Sequence, residues 1–448
     1  MIFDISLTFP IFAPEKKILM VKIFKFGGAS VKDANGVRNV AKILTKYSAE
    51  HIAIVISAMG KTTNALEEVI ASHVRKDGNA HDLYEKLKQA HYTIMDELFE
   101  KNDEIYELVN DTFVEAEWVL DEEPHENYDY MYDQIIGVGE LVSTRIVSAY
   151  LNKANLPTVW LDARDIIRTD NTYREGRVQW KETEANCRRL ITPLLDKGGF
   201  IMTQGFIAGS SENFMVSLGR EGSDYTAAIL AYCLDAVDMT IWKDVAGVLN
   251  ADPRLFENVT KLDRLSYKEA IEMTYYGATV IHPKTIKPLQ NKNIPLYVKS
   301  FLNPDAEGTE IGENSDSHYP PIIIIEKNQA LLYISSRDFS FIAEHHLSSL
   351  FALFDKHRIW VNMMRNTAIS FMVCVPNQAD RLKRLFDEME EDFTVVKQEE
   401  VELITVRHYH EEVIDNLKKG NIVLLEERIR KTFQMVAKKI PMLKRKEG

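Results

Sequence analysis

The chain has 448 residues, enough for two or three domains of ordinary size. Its 45% hydrophobic and 27% charged residues are globular composition, which excludes disorder as an account of the whole chain. A formal net charge of -13 repels phosphate backbones and anionic lipid, so no nucleic acid and no membrane is expected as principal partner.

The first 20 residues fit no regular element, since Asp4, Pro10 and Pro14 interrupt them and no cationic segment precedes an apolar run. Residues 1–20 are expected to be an N-terminal extension, of which 1–19 are dispensable, with Met20 as the natural start. Nowhere does the sequence hold the ~18 consecutive apolar residues of a membrane span. Cys187, Cys233 and Cys374 are far apart and form no C-x-x-C pair, which argues against a zinc cage and for reducing cytoplasm.

From Val21 to Phe26 a strand-like run ends at Gly27-Gly28. Val37, Val40, Ala41 and Leu44 then recur at the spacing of one helix face, and His51–Ile56 is the next strand. Strand, glycine turn, helix and strand begin a layered α/β fold with a largely parallel sheet between helices. Thr158–Leu161, Phe200–Thr203, Met239–Trp242 and Pro295–Val298 extend that pattern to a domain spanning 21–312. Asp82 to about Tyr130 reads as a charged helical lobe, solvated beside the sheet.

The polar, proline-ended stretch 313–327 reads as a linker. Beyond it, 328–448 is a second region whose first unit, about 328–397, has the order βαββαβ of a ferredoxin-like α+β fold. Val401–Val406 begins another strand, and one long helix is expected around Leu424–Lys438, leaving the second unit incomplete.

Four segments carry chemistry. Lys25-Phe26-Gly27-Gly28 places a cation at a strand end beside backbone donors that anionic oxygens can approach, although such a turn is also a common structural device. Ser217–Asp224 combines glycines, the fork of Arg220 and the Ser223-Asp224 pair at a helix start, which suits a carboxylate; a simple N-cap is the plainer account of Ser223 or Asp224. The stretch Trp242–Arg254 ends a strand in a charge-dense loop with Lys243, Asp244, Asp252 and Arg254, as expected of a loop facing a ligand. His282, ahead of Pro283, reads as structural.

These motifs together closely resemble the aspartate kinases (aspartokinases) of the amino acid kinase family. The resemblance runs almost continuously from Val21 to Ile311: KFGGAS at 25, ISAMGKTTN at 56, GVGE at 137, TQGFIA at 203, LGREGSD at 218, WKDVAGVLNADPR at 242, EMTYYGATVIHPKT at 272 and NPDAEGT at 303. It implies an amino acid kinase fold followed by an ACT-type regulatory region. The implied reaction is ATP-dependent phosphorylation of the L-aspartate side-chain carboxylate, the first step toward lysine, threonine, methionine and diaminopimelate. By this resemblance Lys25 and Asp224 serve catalysis, and Gly27, Gly28, Lys243, Asp244, Asp252 and Arg254 bind ATP. Thr63, Glu140, Arg220 and Ser223 bind aspartate, and Mg²⁺ enters with the nucleotide rather than on a protein site.

The resemblance also implies a homo-oligomer formed through the ACT-like region, with lysine or threonine as effector; from the length and the lack of a further G-x-G-x-x-G turn for NAD, no fused homoserine dehydrogenase half is expected. Four positions depart from the family pattern: Ala29 for Thr, Glu221 for Gly, Lys243 for Thr and Thr279 for Lys. The alternatives are another amino acid kinase, acting on glutamate or N-acetylglutamate, and a catalytically impaired amino-acid sensor.

Overall fold

The computed structural model describes residues 20–278, 281–313, 318–338 and 340–439. The extension expected at 1–20 therefore lies outside the described residues apart from Met20, and Thr279 lies outside them too.

The chain begins with β1 (Val21–Phe26), α1 (Ala34–Thr45), β2 (His51–Ile56) and α2 (Thr62–Arg75). Helices α3 (Ala80–Leu98), α4 (Ile105–Asp121), α5 (Tyr128–Ile136) and α6 (Val138–Lys153) follow. Next come β3 (Thr158–Trp160), α7 (Ala163–Ile166), β4 (Arg168–Thr169), α8 (Trp180–Leu190) and α9 (Thr192–Leu195). Then β5 (Phe200–Gln204), β6 (Ile207–Ser210), β7 (Met215–Ser217), α10 (Gly222–Cys233) and β8 (Asp238–Lys243) complete most of a first compact unit, 1–244 with 291–297.

In that unit the strands lie in the order β3-β5-β2-β1-β8 and run parallel. The middle strands are buried on both faces, as β2 shows with Ile52 to Ile56, so each reads as an unbroken apolar run. Helix α1 starts where the Asp33 carboxylate accepts the Gly36 N–H at 2.8 Å, and it buries Val37, Val40, Ala41 and Leu44 as their spacing predicts. Trp242 of β8 is fully buried and stacks on Phe26 of β1, with centroids 5.9 Å apart. The charged segment after Asp82 is helical as expected, but it has a core of its own, where Tyr84 meets Phe113 edge to face and donates to the Phe113 carbonyl at 2.7 Å.

The second unit, 245–290 with 298–448, contains β9 (Arg264–Ser266), α11 (Tyr267–Tyr275) and most of α12 (Pro283–Asn291) and β10 (Leu296–Ser300). It continues with β11 (Thr309–Gly312), β12 (Ile322–Ser336), α13 (Glu344–Lys356), β13 (Met363–Asn366) and β14 (Ser370–Pro376). Last come α14 (Ala379–Met389), β15 (Phe393–Arg407), α15 (Glu411–Lys418), β16 (Asn421–Ile429) and β17 (Thr432–Lys439). A six-stranded sheet, β13-β14-β12-β15-β17-β16, organises this region.

Its first ferredoxin-like unit has the expected βαββαβ order, with a core around Leu332, Leu350, Phe354, Phe371, Leu385 and Phe393. Two expectations fail. The helix anticipated at Leu424–Lys438 is the antiparallel hairpin β16–β17, whose turn, Arg430-Lys431, carries none of the usual glycine or asparagine signals. Period-2 burial exposes the error, because Phe433, Met435 and Ala437 share one core while Val436 joins another.

The residues read as the end of the linker, Ile322–Lys327, are the first part of β12, and Ile322–Glu326 pair with Arg407–Leu403 of β15. Register shifts near Gln329 divide both long strands in two. The half of β12 before the shift thus supplies a strand to the second ACT-like unit, whose remaining parts are the end of β15, α15, β16 and β17.

Candidate active site

Because β1, β2, β5 and β8 run parallel, their carboxyl ends share one edge of the sheet, the side where ligands bind in open α/β folds. Most of the site residues expected from sequence lie there or on the helix starts that follow. Lys25 is the penultimate residue of β1, and Gly27-Gly28 come directly after the strand. A Cβ on Gly28 would lie 2.7 Å from the Ala58 carbonyl oxygen and 2.9 Å from that of Gly60, so only glycine fits between β1 and the segment after β2.

Lys25 Nζ sits 2.6 Å from Asp224 Oδ1, and both side chains are buried. Asp224 lies in the first turn of α10. Burial opposes its ionisation, but Lys25 and then Lys243 outweigh that and hold the carboxyl below the usual range. Neither Ser223 nor Asp224 caps α10. Glu221 occupies the N-cap position without a side-chain cap, and its own carbonyl accepts the Asp224 N–H at 3.1 Å. Both side chains are therefore free of the capping role that was their plainer explanation.

Glu140 lies in the first turn of α6 and is 3% exposed. Burial pushes its carboxyl up to about 8, against backbone donors at Glu140 itself and Ala58 and against the charge of Lys25. Its Oε2 is buried without a hydrogen-bond partner. A buried acceptor left unmet is costly, so it marks a place where a donor belongs. Thr63 is half-buried in the first turn of α2, Ser223 is half-buried, and Arg220 is exposed on the loop between β7 and α10. Gly205, which follows β5, leaves room for that helix start, since a Cβ there would fall 2.4 Å from Ser223 Cβ.

Lys243 is the last residue of β8 and Asp244 follows it, exposed. Asp252 and Arg254 belong to the second unit and pair with each other, Nη2 to Oδ2 at 2.7 Å. His282 accepts the Lys284 N–H on Nδ1 at 3.2 Å, the structural part expected of it. Sequence reasoning missed Asp133. It lies on α5 seven residues before Glu140, and an aspartate among Met131, Tyr132, Ile135 and Ile136 was the available signal.

The model of the amino acid kinase family matches residues 20–300, and the chain belongs to that family. Within it, the relatives it resembles are aspartokinases. The lysine-sensitive aspartokinase 3 of Escherichia coli is 29% identical over 357 residues, which is 78% of this chain and 77% of the relative. The bifunctional aspartokinase/homoserine dehydrogenase 2 of Arabidopsis thaliana is 31% identical over 309 residues, 67% of this chain but only 33% of the longer protein. The chain thus spans about a third of such bifunctional relatives. The crystal structure of E. coli aspartokinase III with aspartate and ADP matches the fold with a TM-score of 0.80 at 23% identity, covering 93% of this chain and 96% of that one.

Proposed function

We propose that the chain is an aspartate kinase that transfers the γ-phosphoryl group of ATP to the side-chain carboxylate of L-aspartate. One observation carries the choice of an amino acid as acceptor: Glu140 Oε2 is buried and unmet, whereas the nearby charges of Lys25 and Asp224 already pair with each other. An ammonium group is the donor that would complete it.

The acceptor carboxylate is ionised at neutral pH, so no residue has to abstract a proton. One of its oxygens forms the new bond to phosphorus while the bond to the ADP oxygen breaks, and the protein's task is to position two anions and neutralise charge. Lys25 stabilises the transferred group, Asp224 orients Lys25, and Gly27 and Gly28 supply backbone donors. Glu140 holds the ammonium of aspartate, Arg220 clamps its α-carboxylate, and Thr63 and Ser223 orient it. Lys243 and Asp244 serve the nucleotide, and the resemblance alone adds Asp252 and Arg254 to that set. A strand-end glycine turn lets backbone donors approach phosphate oxygens with no Cβ in the way, so the turn suits ATP. Mg²⁺ arriving with ATP supplies further charge neutralisation.

The similarity to a lysine-sensitive relative and the ACT-like sheet support lysine as effector and pairing of ACT-like regions between subunits. The absence, among the described residues, of any helix long and apolar enough to span a membrane accords with a cytoplasmic enzyme. The test is hydroxamate formation from aspartate, ATP and Mg²⁺, with glutamate and N-acetylglutamate as controls. Turnover with either control and none with aspartate would replace the substrate assignment.

A further inference from the structure

Asp133 has no part in the roles above, yet it is fully buried and its carboxylate accepts three hydrogen bonds. Oδ1 accepts from the Ser217 hydroxyl at 2.6 Å, and Oδ2 accepts from the Ser217 N–H at 3.0 Å and the Arg174 N–H at 2.7 Å. The Ser217 carbonyl is also occupied, by the Gly176 N–H at 2.9 Å. Ser217, the last residue of β7, is therefore held at its nitrogen, its hydroxyl and its carbonyl.

Arg220 stands three residues further on. The segment between is short and fixed at both ends: the Leu218 N–H reaches the Phe206 carbonyl at 2.8 Å, and the Gly222 N–H reaches that of Gly219 at 2.9 Å. Gly219 and Glu221 both have left-handed backbones, φ 78° and φ 53°. The Arg220 side chain is exposed and pairs with no carboxylate among the described residues, so the path of its backbone is what controls where its fork can reach. The other segment held by Asp133, at Arg174, is in the left-handed region as well, φ 67°, with its guanidinium carbon 4.3 Å from the centre of the Tyr132 ring.

We propose that Asp133 is a positioning residue: its buried carboxylate ties the segments around Arg174 and Ser217 together and so places Arg220 for the α-carboxylate of the substrate. The proposal rests on the assignment of Arg220 to substrate binding. The three groups it faces are donors, and only one of them, the Ser217 hydroxyl, can turn round and accept. Asparagine can therefore keep the geometry, with its oxygen toward the two N–H groups and its amide toward Ser217 Oγ, whereas alanine cannot.

The experiment compares Asp133→Ala, Asp133→Asn and Ser217→Ala with wild type in full steady-state kinetics. Asp133→Ala should raise the aspartate KM about thirtyfold or more, the scale of a misplaced binding group, with ATP KM within twofold and kcat within about threefold. Asp133→Asn should restore most of that loss, and Ser217→Ala should give a smaller rise of about threefold to tenfold in the same parameter alone. Hydrogen exchange of the peptide spanning 217–222 supplies a readout independent of turnover, and Asp133→Ala should exchange there faster while α10 stays protected. Unchanged aspartate KM and exchange in Asp133→Ala would overturn the proposal, as would equal shifts in all three kinetic parameters without rescue by asparagine. If Asp133→Ala does not fold, Ser217→Ala decides the matter, and an unchanged KM and exchange rate there overturn it. A wild-type enzyme inactive on aspartate would instead sink the substrate assignment, leaving the exchange data to judge the staple.

Discussion

The first unit buries Lys25, Asp224 and Glu140; the second buries Arg407 against Glu269, with Glu272 at the rim. In the second cluster every nitrogen of the arginine is met. Arg407 Nε and Nη2 donate to the two oxygens of Glu269 at 2.6 and 2.8 Å, and Nη1 donates to Glu272 at 2.8 Å and to Thr432 Oγ1 at 3.0 Å. In the first, Lys25 and Asp224 match but Glu140 keeps an unmet oxygen. The two glutamates move in opposite directions. Burial pushes Glu140 up to about 8, whereas Glu269, opposed by burial, is drawn down to about 2 by Arg407 and His408. One charge cluster ties α11 to the end of β15, while the other, on the function proposed above, is completed by a ligand.

The largest expected effect comes from breaking the completed cluster. Arg407→Met leaves Glu269 buried without its cation, a change that costs about 3–5 kcal/mol in such pairs. Calorimetry should show a lower melting temperature, while aspartate KM changes little in protein that remains folded. Acid should find the same weak point: Glu269 contributes stability above its unfolded value near 4.5, and that contribution is lost as pH falls toward about 2. A variant as acid-stable as wild type would show that the cluster contributes little.

Lys25→Ala and Arg220→Ala divide the candidate site around the incomplete cluster by role. Losing Lys25 should lower kcat roughly a hundredfold or more, the scale for one preorganised charge donor, with aspartate KM within a few fold. Losing Arg220 should raise aspartate KM strongly, because it removes ground-state binding. The same kinetic signature in both would contradict the assigned roles.

Glu140→Gln sharpens the comparison, since it removes the charge and keeps the shape. The folded chain protonates Glu140 up to about 8 while an unfolded chain ionises it near 4.5, so its stability contribution is complete below 4.5 and lost as pH rises through 8. Glutamine carries no such loss. The variant should melt above wild type at pH 8.5 and level with it at pH 4.5, yet lose on the order of a hundredfold in kcat/KM for aspartate, the scale of removing a buried charge partner. In wild type, aspartate KM should fall between pH 6 and 8.5 as Glu140 ionises. A flat profile would mean that Glu140 does not meet the ammonium.

The incomplete cluster was the more legible of the two. Lys25, Gly27 and Gly28 are adjacent, and the turn they form follows from a strand meeting glycines. Asp224 stood out in the glycine-rich segment before α10 and took its role from motif resemblance, as Glu140 did altogether, although only the folded chain shows that Glu140 is unmet. The completed cluster joins residues 138 positions apart, at Glu269 and Arg407, and Asp133 reaches 84 positions to Ser217, so no local pattern marks either. The hairpin at β16–β17 was misread for a different reason. Its turn has no glycine or asparagine, and Arg430 takes the left-handed backbone that such residues usually adopt, φ 51°.

Glu221 is the smallest test and separates two explanations of one departure from the family pattern. It stands where the family pattern that the sequence resembles has glycine, and its backbone is left-handed, φ 53° and ψ 29°, which costs a side-chain-bearing residue about 1–2 kcal/mol. Glycine removes that strain but makes the unfolded chain more flexible, which takes back roughly 0.4–1 kcal/mol. Glu221→Gly should therefore gain a few tenths to about 1 kcal/mol in thermal or denaturant unfolding. Glu221→Ala keeps the strained backbone and removes the carboxylate that follows Arg220 in sequence, so it should not share the gain in stability while lowering aspartate KM as much as glycine does. If alanine stabilises as much as glycine, the charge and not the backbone is what the family pattern avoids at this position.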